Sequence, residues 1–463
     1  MQRRNLLKMA AVAGGMSVLT ERARKAEAQV ARATRGMPSP KIKDVQVIAA
    51  QVHQIPFAGE PPDAAGTSTV RLSVVKIITD QDGLYGYGCS TFTQRGELVN
   101  AAVEKYLKPF LMGKPTDRID DLWQACYNSS YWRNGPVLNV AIGGVDQALW
   151  DIKGRQAGMP VYQLLGGKCR EAADTYVHVT APDLRRVLED AKRAVKEQGF
   201  RNILLNPGYQ TPGPSLRDGA VGTGDLGTNS IFDSELFARR SLQYMEAFRK
   251  ELGDEVGLMV DIHERLAPNK AVQLAKDMEK LKLFFVEDLL SPEDIAYFRQ
   301  IRQQCATPLA MGELFNSPHE WTPLIQDRLI DYMRMHVSQM GGLTPARKAA
   351  ALGEILGVRT AWHGPPDTSP VGMAAQLHLD LACYNFGIQE FTFFSDQAKE
   401  IFRGCPEVKN GYMYANDLPG WGMEIDEKLA AKYPYGTDEQ GDRQRLNGGW
   451  GELRRRDGTI VKQ

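Results

Sequence analysis

The sequence predicts an α/β fold, a TIM-type barrel preceded by an α+β domain, and three observations carry that prediction. Eight short apolar runs recur after Gly167, spaced by longer amphipathic stretches. Two Val- and Ile-rich runs and three helical patterns come before them, strands first and helices after. Acids and histidines close several of the later runs, at the strand ends where a barrel carries its chemistry.

Composition narrows the class before any element is placed. The 463 residues carry 56 Lys and Arg against 56 Asp and Glu, a formal net charge of +0. That balance argues against a nucleic-acid partner, whose phosphates need a surplus of basic residues. Hydrophobic residues at 43% and charged residues at 24% exclude a mostly disordered, fibrous or membrane-spanning chain. Six cysteines, Cys89, Cys126, Cys169, Cys305, Cys383 and Cys405, form no CxxC pair, so they signal neither a zinc ribbon nor a disulfide scaffold and are expected as buried thiols.

Residues 1–30 read as an address. Arg3 and Arg4 form a basic head, Leu6 to Leu19 an apolar and small-residue run, and Ala26-Glu27-Ala28 a small-x-small end. Arg3-Arg4-Asn5-Leu6-Leu7 resembles a twin-arginine signal, which implies a periplasmic or otherwise exported protein that folds before export. The run is too short to span a bilayer, which takes about 20 apolar residues, so no membrane association is expected once the signal is removed.

The first domain, 40–168, opens with strands at 41–50 and 69–79, and Asp80-Gln81-Asp82-Gly83 supplies a hairpin turn. Helical periodicity follows at 97–111, 116–128 and 139–157, with Gly166-Gly167 as the break. The barrel, 169–395, takes its strands from the runs at 175–180, 201–206, 257–264, 283–288, 308–313, 331–337, 358–364 and 386–391. The long stretch at 207–230, rich in Gly, Pro, Thr and Asp, is a candidate functional loop. Residues 396–463 are expected to pack back on the first domain.

Three carboxylates stand out. Asp261, Glu287 and Glu313 end the third, fourth and fifth runs, each 26 residues after the last, a spacing that predicts equivalent places on three neighbouring strands. Converging carboxylates repel one another unless a cation sits among them, and an all-oxygen donor set suits Mg²⁺. The competing reading has each acid capping the following helix. His178, His263, His336 and His363 fall near the ends of runs one, three, six and seven, and histidines gathered at one barrel face favour acid–base work. His263, two residues past Asp261, is expected on the same side of its strand by alternation.

With these residues in view, the chain resembles the enolase superfamily and, within it, the mannonate dehydratase-like subgroup of mandelate racemase/muconate lactonizing enzyme-like proteins. The resemblance rests on YWRNGPV, GVDQALWDIKGRQAGMPVYQLLGG, VDIHERL, VEDLLSPED, GELFNSP, RMHVSQMGGLTPARK, WHGPPD, GIQEF and DLPGWGMEID. It implies a modified (β/α)7β barrel under an N-terminal α+β capping domain, with Mg²⁺ held by Asp261, Glu287 and Glu313. It also implies α-proton abstraction beside a carboxylate, an enediolate stabilised by the metal, and β-elimination of water from an acid sugar. His263 matches the acid–base histidine. His178, Arg334, His363, Asp367 and Glu390 match substrate-binding positions, Glu313 borders the same pocket, and the resemblance suggests a homo-oligomer. Trp362 and Trp421 read as packing residues.

The chain departs from the subgroup at the general base. Leu204 stands where an Arg is expected, and the loop that should bring a Tyr is rearranged, leaving Tyr209 or Arg217 as candidates. Thr93 replaces a substrate-binding Asn, and the terminus lacks a Trp. RNILLN contains no Lys, which argues against a lysine-based racemase. The reading is therefore a Mg²⁺-dependent sugar-acid dehydratase, a hydro-lyase acting on a mannonate- or gluconate-like aldonate. Its alternatives are a non-catalytic or regulatory acid-sugar binder and an epimerase.

Overall fold

A computed structural model of the chain describes residues 39–55, 69–179, 183–207, 211–212, 230–366 and 368–435, with 455, 457, 459 and 461. The signal-like segment, Tyr209, Arg217 and Asp367 lie outside the described residues.

Strands β1 (Ile42–Ile55), β2 (Thr69–Thr79) and β3 (Tyr85–Cys89) form an antiparallel sheet. The β2–β3 turn uses Gly83 at φ 76°, as the Asp-Gly chemistry predicts. One face is covered by the helix Pro136–Ala157, through Val145, Ala148, Leu149 and Ile152 against Val75 and Ile77. The approach is so close that a Cβ at Gly88 would fall 2.0 Å from the carbonyl oxygen of Gly144, so only glycine fits there. That helix ends at Ala157, where its periodicity predicts, but the residue that stops it is Gly158 and not the Gly166-Gly167 pair. Gly158 takes the left-handed conformation at φ 65° and its N–H closes on Arg155 O, which terminates the helix.

Beyond it, β4 (Ala173–Val179), β5 (Asn202–Leu205), β8 (Gly257–Asp261), β9 (Phe285–Glu287), β10 (Leu309–Met311), β11 (Tyr332–Met333), β12 (Arg359–Thr360) and β13 (Gln389–Glu390) pair in parallel in chain order. A short antiparallel pair, β6 (Thr211–Pro212) with β7 (Ser230–Ile231), stands at the two ends of the loop after β5. β13 pairs with β4, and Ile388 donates to Thr360 O across the last seam, which closes a barrel of eight strands. Seven of the eight predicted runs contain one of them whole, and the first, 175–180, overlaps β4, which starts earlier at Ala173.

A helix follows each of the first seven strands, from Leu184–Lys196 to Pro370–Ala382, and the eighth strand leads into the C-terminal segment instead. The fold is therefore (β/α)7β. Inside it, Tyr176, Leu204, Met259, Phe285, Ala310 and Tyr332, one from each of the first six strands, with Ala361 just after β12 and Ile388 just before β13, form a sealed apolar layer. That floor leaves the chemistry to the C-terminal mouth above it.

After β13 the chain returns to the first domain. β14 (Phe393–Phe394) pairs with β1, and Trp421, buried as expected of a packing residue, donates its indole N–H to Tyr87 O at 3.0 Å. Trp362 is likewise fully buried. All six cysteines are free thiols; Cys89, Cys126 and Cys305 are buried as expected, whereas Cys383 and Cys405 are half-buried and Cys169, in the connector before β4, is exposed. Among the described residues no helix is long and apolar enough to cross a membrane.

Candidate active site

The barrel strands deliver their polar ends to one mouth. Asp261 and Glu287 are register partners on β8 and β9, so their carboxylates rise at the same height. Glu313 is not their equivalent, which corrects the reading from equal spacing. Glu287 pairs with Ala310, three residues short of Glu313, and Glu313 reaches the mouth past Gly312 at φ 140°. Equal counts along the chain conceal a difference in stagger, because the crossover lengths differ.

The backbone at these strand ends is unusual. His263 and Glu264 (φ 56° and 54°) after β8, and Asp288 (φ 42°) after β9, occupy the left-handed region that non-glycine residues rarely adopt. β8 has ended by then, so a left-handed turn and not strand alternation brings His263 inward. Backbone hydrogen bonds fix the turns. Ile262 donates to Glu287 O, Glu264 to Asp288 O at 2.8 Å, Asp288 to Ala310 O, and Gly312 to the Asp288 carboxylate at 3.2 Å.

The structure gathers most of the expected residues. His178 Nε2 lies 2.6 Å from Glu390 Oε1, and Arg334 donates to Glu390 Oε2 at 2.8 Å while its Nε faces Glu287. Glu313 is approached by His363 Nε2 at 3.2 Å and His263 Nε2 at 3.6 Å. His263 is further tied by its backbone N–H to Asp261 at 2.8 Å. Thr93 sits in the turn between β3 and the helix Gly96–Ala102, on the capping domain. Leu204 is fully buried and in register with His178, so an apolar side chain occupies that place on β5.

Two acids that the sequence reading passed over complete the cluster. Asp261, Glu287 and Asp288 bring ligand oxygens within 4.8 Å of one another, and so do Glu264, Asp288 and Glu313. The available signal was a second acid directly after Glu287, at Asp288, and another three residues after Asp261, at Glu264. Two further residues support the site from below or beside it. Tyr176, in the apolar floor, stacks on His178 with ring centroids 5.8 Å apart and lies beneath the Arg334 guanidinium. His336 packs edge-on against His363 at 5.3 Å and reaches Thr368 Oγ1 at 3.2 Å.

Electrostatics follow from burial. Glu264, Glu287 and Asp288 are held well above the usual carboxylate range, first by burial and then by their acidic neighbours. Burial pushes His263 and His336 down to about 4, and His363 well below its ordinary value. For Glu390 burial acts upward, but Arg334, His178 and His363 outweigh it and hold the carboxyl well below the usual range.

The residues present fit a divalent cation. Both carboxylate oxygens of Glu264, Oε2 of Glu287 and Oδ2 of Asp288 are buried and accept no hydrogen bond among the described residues. Such oxygens are costly to bury unless a cation meets them, and a donor set without nitrogen or sulfur suits Mg²⁺.

A capped barrel with acids at its mouth defines a class of lyases and isomerases, and the sequence comparisons agree. Residues 186–429 match the enolase C-terminal domain-like family, and residues 45–166 match the mandelate racemase/muconate lactonizing enzyme N-terminal domain. The chain belongs to the enolase superfamily, in its D-galactonate dehydratase family. It is 46% identical over 413 residues to the D-galactonate dehydratase family member RspA of Pantoea ananatis, covering 84% of this chain and 95% of that protein. It is 48% identical to the family member Dd703_0947 of Musicola paradisiaca, covering 79% and 91%. Among solved structures, an enolase from Pantoea ananatis with bound D-gluconate and Mg superposes with a TM-score of 0.80 at 43% identity, covering 92% of this chain and 100% of that one. The superfamily reading holds, and the mannonate dehydratase-like subgroup is an approximation to a family whose members carry the galactonate name.

Proposed function

We propose that this protein is a Mg²⁺-dependent dehydratase of a gluconate-, mannonate- or galactonate-like aldonic acid, taking the α-proton and releasing the β-hydroxyl as water. The carrying observation is the buried carboxylate group with oxygens that accept no hydrogen bond. Support comes from family membership and from the D-gluconate and Mg bound by the Pantoea enolase.

In this reading Asp261, Glu287 and Glu313 hold the ion. When bound, it supplies Lewis-acid charge that stabilises the negative charge growing on the substrate carboxylate. His263 stands at the same mouth and delivers a proton to the departing hydroxyl. Of the residues expected to bind the sugar, His178 and Glu390 form one wall, His363 faces Glu313, and Arg334 sets the charge beneath them. Asp367 and Thr93 are assigned to substrate hydroxyls. β5 ends in Leu204 and Leu205 and is followed by Asn206, none of which titrates near neutral pH, so the α-proton falls to the following loop, where Tyr209 is the assigned base.

The test is incubation of the Mg²⁺-loaded protein with a panel of aldonic acids, with detection of 2-keto-3-deoxy products. A panel without product from protein shown to bind Mg²⁺ overturns the proposal, and binding without turnover identifies a sugar-acid binder instead. Tyr209→Phe separates the base assignment from the rest: turnover retained at the wild-type rate removes Tyr209 and leaves the dehydratase standing.

A further inference from the structure

Away from the mouth, the helix Pro370–Ala382 is finished by the connector before β4. A helix leaves its last carbonyls without donors of its own. Here the backbone N–H of Cys169 donates to Leu381 O at 2.7 Å, and its thiol donates to Ala382 O at 3.1 Å. The Arg170 guanidinium donates to Cys383 O at 2.6 Å, to Tyr384 O at 3.2 Å and to Asp380 O. Two adjacent residues thus cap the end of the helix, and the residue at that end is a second cysteine, Cys383.

The two thiols stand in different surroundings. Cys169 is exposed and Cys383 is half-buried. Burial, and then the Asp380 carboxylate one turn earlier, push the Cys383 thiol up to about 12, and Cys169 is near enough to add to the effect. A bridge forms without strain only where the two backbones are already held close. That condition is met by the bonds from Cys169 and Arg170, and the Cys169 sulfur rests on the carbonyl of the peptide group that leads into Cys383. What closure asks for is a turn of the exposed Cys169 side chain.

We propose that Cys169 and Cys383 are a dithiol that closes to a disulfide, clamping the connector before β4 to the end of the seventh barrel helix. β13 follows that helix and pairs with β4, so the bridge fastens the seam at which the barrel closes. The oxidant is a low-molecular-weight disulfide such as glutathione disulfide. The Cys169 thiolate attacks one of its sulfurs, forming a mixed disulfide and expelling one glutathione thiolate. Cys383 then loses its proton and attacks the Cys169 sulfur, forming the protein S–S bond and expelling the second. Two protein thiols are oxidised, one glutathione disulfide is reduced to two thiols, and the two protons pass to the released thiolates. The more exposed sulfur attacks first because the other is the harder to ionise. A crosslink restricts the unfolded chain most when the loop it closes is long, and this one spans β4 to β12, so the bridged form is the more stable.

The experiment uses the full chain, treated with glutathione disulfide or with dithiothreitol. Free thiols are counted by alkylation under denaturing conditions, adducts and bridges are located by mass spectrometry, and urea denaturation gives the midpoint. Wild type is expected to lose two of its six thiols, to keep no glutathione and to unfold at a higher urea concentration, all reversed by dithiothreitol. Cys383→Ser is expected to hold one glutathione on Cys169, and Cys169→Ser to hold none, with no rise in midpoint for either. A wild type that keeps six thiols overturns the proposal, as does one that stays glutathionylated on Cys169, since Cys383 then does not reach it. A bridge mapped to other cysteines, or one between these two that leaves the midpoint unmoved, overturns the clamp equally. None of these readouts depends on turnover, so the dehydratase reading stands or falls separately.

Discussion

Arg334 donates to Glu390 at 2.8 Å with both side chains sealed from water, and the same guanidinium faces Glu287. The three residues end or follow β11, β13 and β9, so one cation ties together acids from across the barrel mouth. Removing it strands two buried carboxylates. Arg334→Met is expected to cost about 3–5 kcal/mol of stability, the usual penalty for breaking a buried pair from one side. Arg334→Lys keeps the charge but loses the planar fork, and should recover only part of it. Chemical denaturation of the chelator-treated proteins measures both.

His263 offers a clean separation of chemistry from folding. Its φ of 56° suits Asn better than most residues, so His263→Asn removes the imidazole while leaving the turn and the N–H donated to Asp261. The expected result is a fall in kcat of about 10²–10⁴, the usual contribution of a positioned acid or base, with the unfolding midpoint little changed. Steady-state kinetics on whichever aldonic acid proves active, beside a denaturation curve, decides it. A retained kcat means that another group protonates the leaving hydroxyl.

The barrel was legible because strands buried on both faces read as apolar runs, and all eight runs overlap strands. The site was legible in part, since strand-end polar residues announce a barrel mouth. Register was not. Glu313 counts as an equivalent of Asp261 and Glu287, yet it lies three residues beyond the partner of Glu287, a stagger that only the folded crossovers define. The roles of Glu264 and Asp288 were hidden for a related reason, because left-handed turns redirect them toward the mouth and no spacing rule reports φ. Cys169 shows the same limit at the surface, where exposure depends on which segment covers a connector.

Export is the expectation that the described residues do not reach. The order of basic head, apolar run and small-x-small end is the observation behind the proposed twin-arginine route for this chain. Replacing Arg3 and Arg4 together by Lys should leave full-length protein in the cytoplasm, whereas the unaltered chain should appear shortened in the exported fraction. Fractionation with immunodetection reads both. Equal distribution of the two forms removes the twin-arginine assignment.

Asp146 sets the last expectation, a pH dependence of stability that originates away from the metal. It lies in the capping helix Pro136–Ala157 and accepts the Thr344 N–H at 2.9 Å, capping the start of the helix Leu343–Leu356 on the barrel. Burial raises its carboxyl to about 7, although the hydrogen bonds from Thr344 pull the other way. The native state then keeps a proton on Asp146 over a range in which the unfolded chain, titrating near 3.8, has lost it. With more protons bound by the native state, stability falls as pH rises from about 4 to about 7, and is level beyond. Asp146→Asn retains an acceptor for Thr344 but cannot ionise. Across that window its unfolding free energy should decline less steeply than wild type, by an amount on the order of a few kcal/mol between the ends. Parallel denaturation series at pH 5, 6, 7 and 8 test this, and curves of equal slope would show that Asp146 ionises in the native protein as freely as in the unfolded chain.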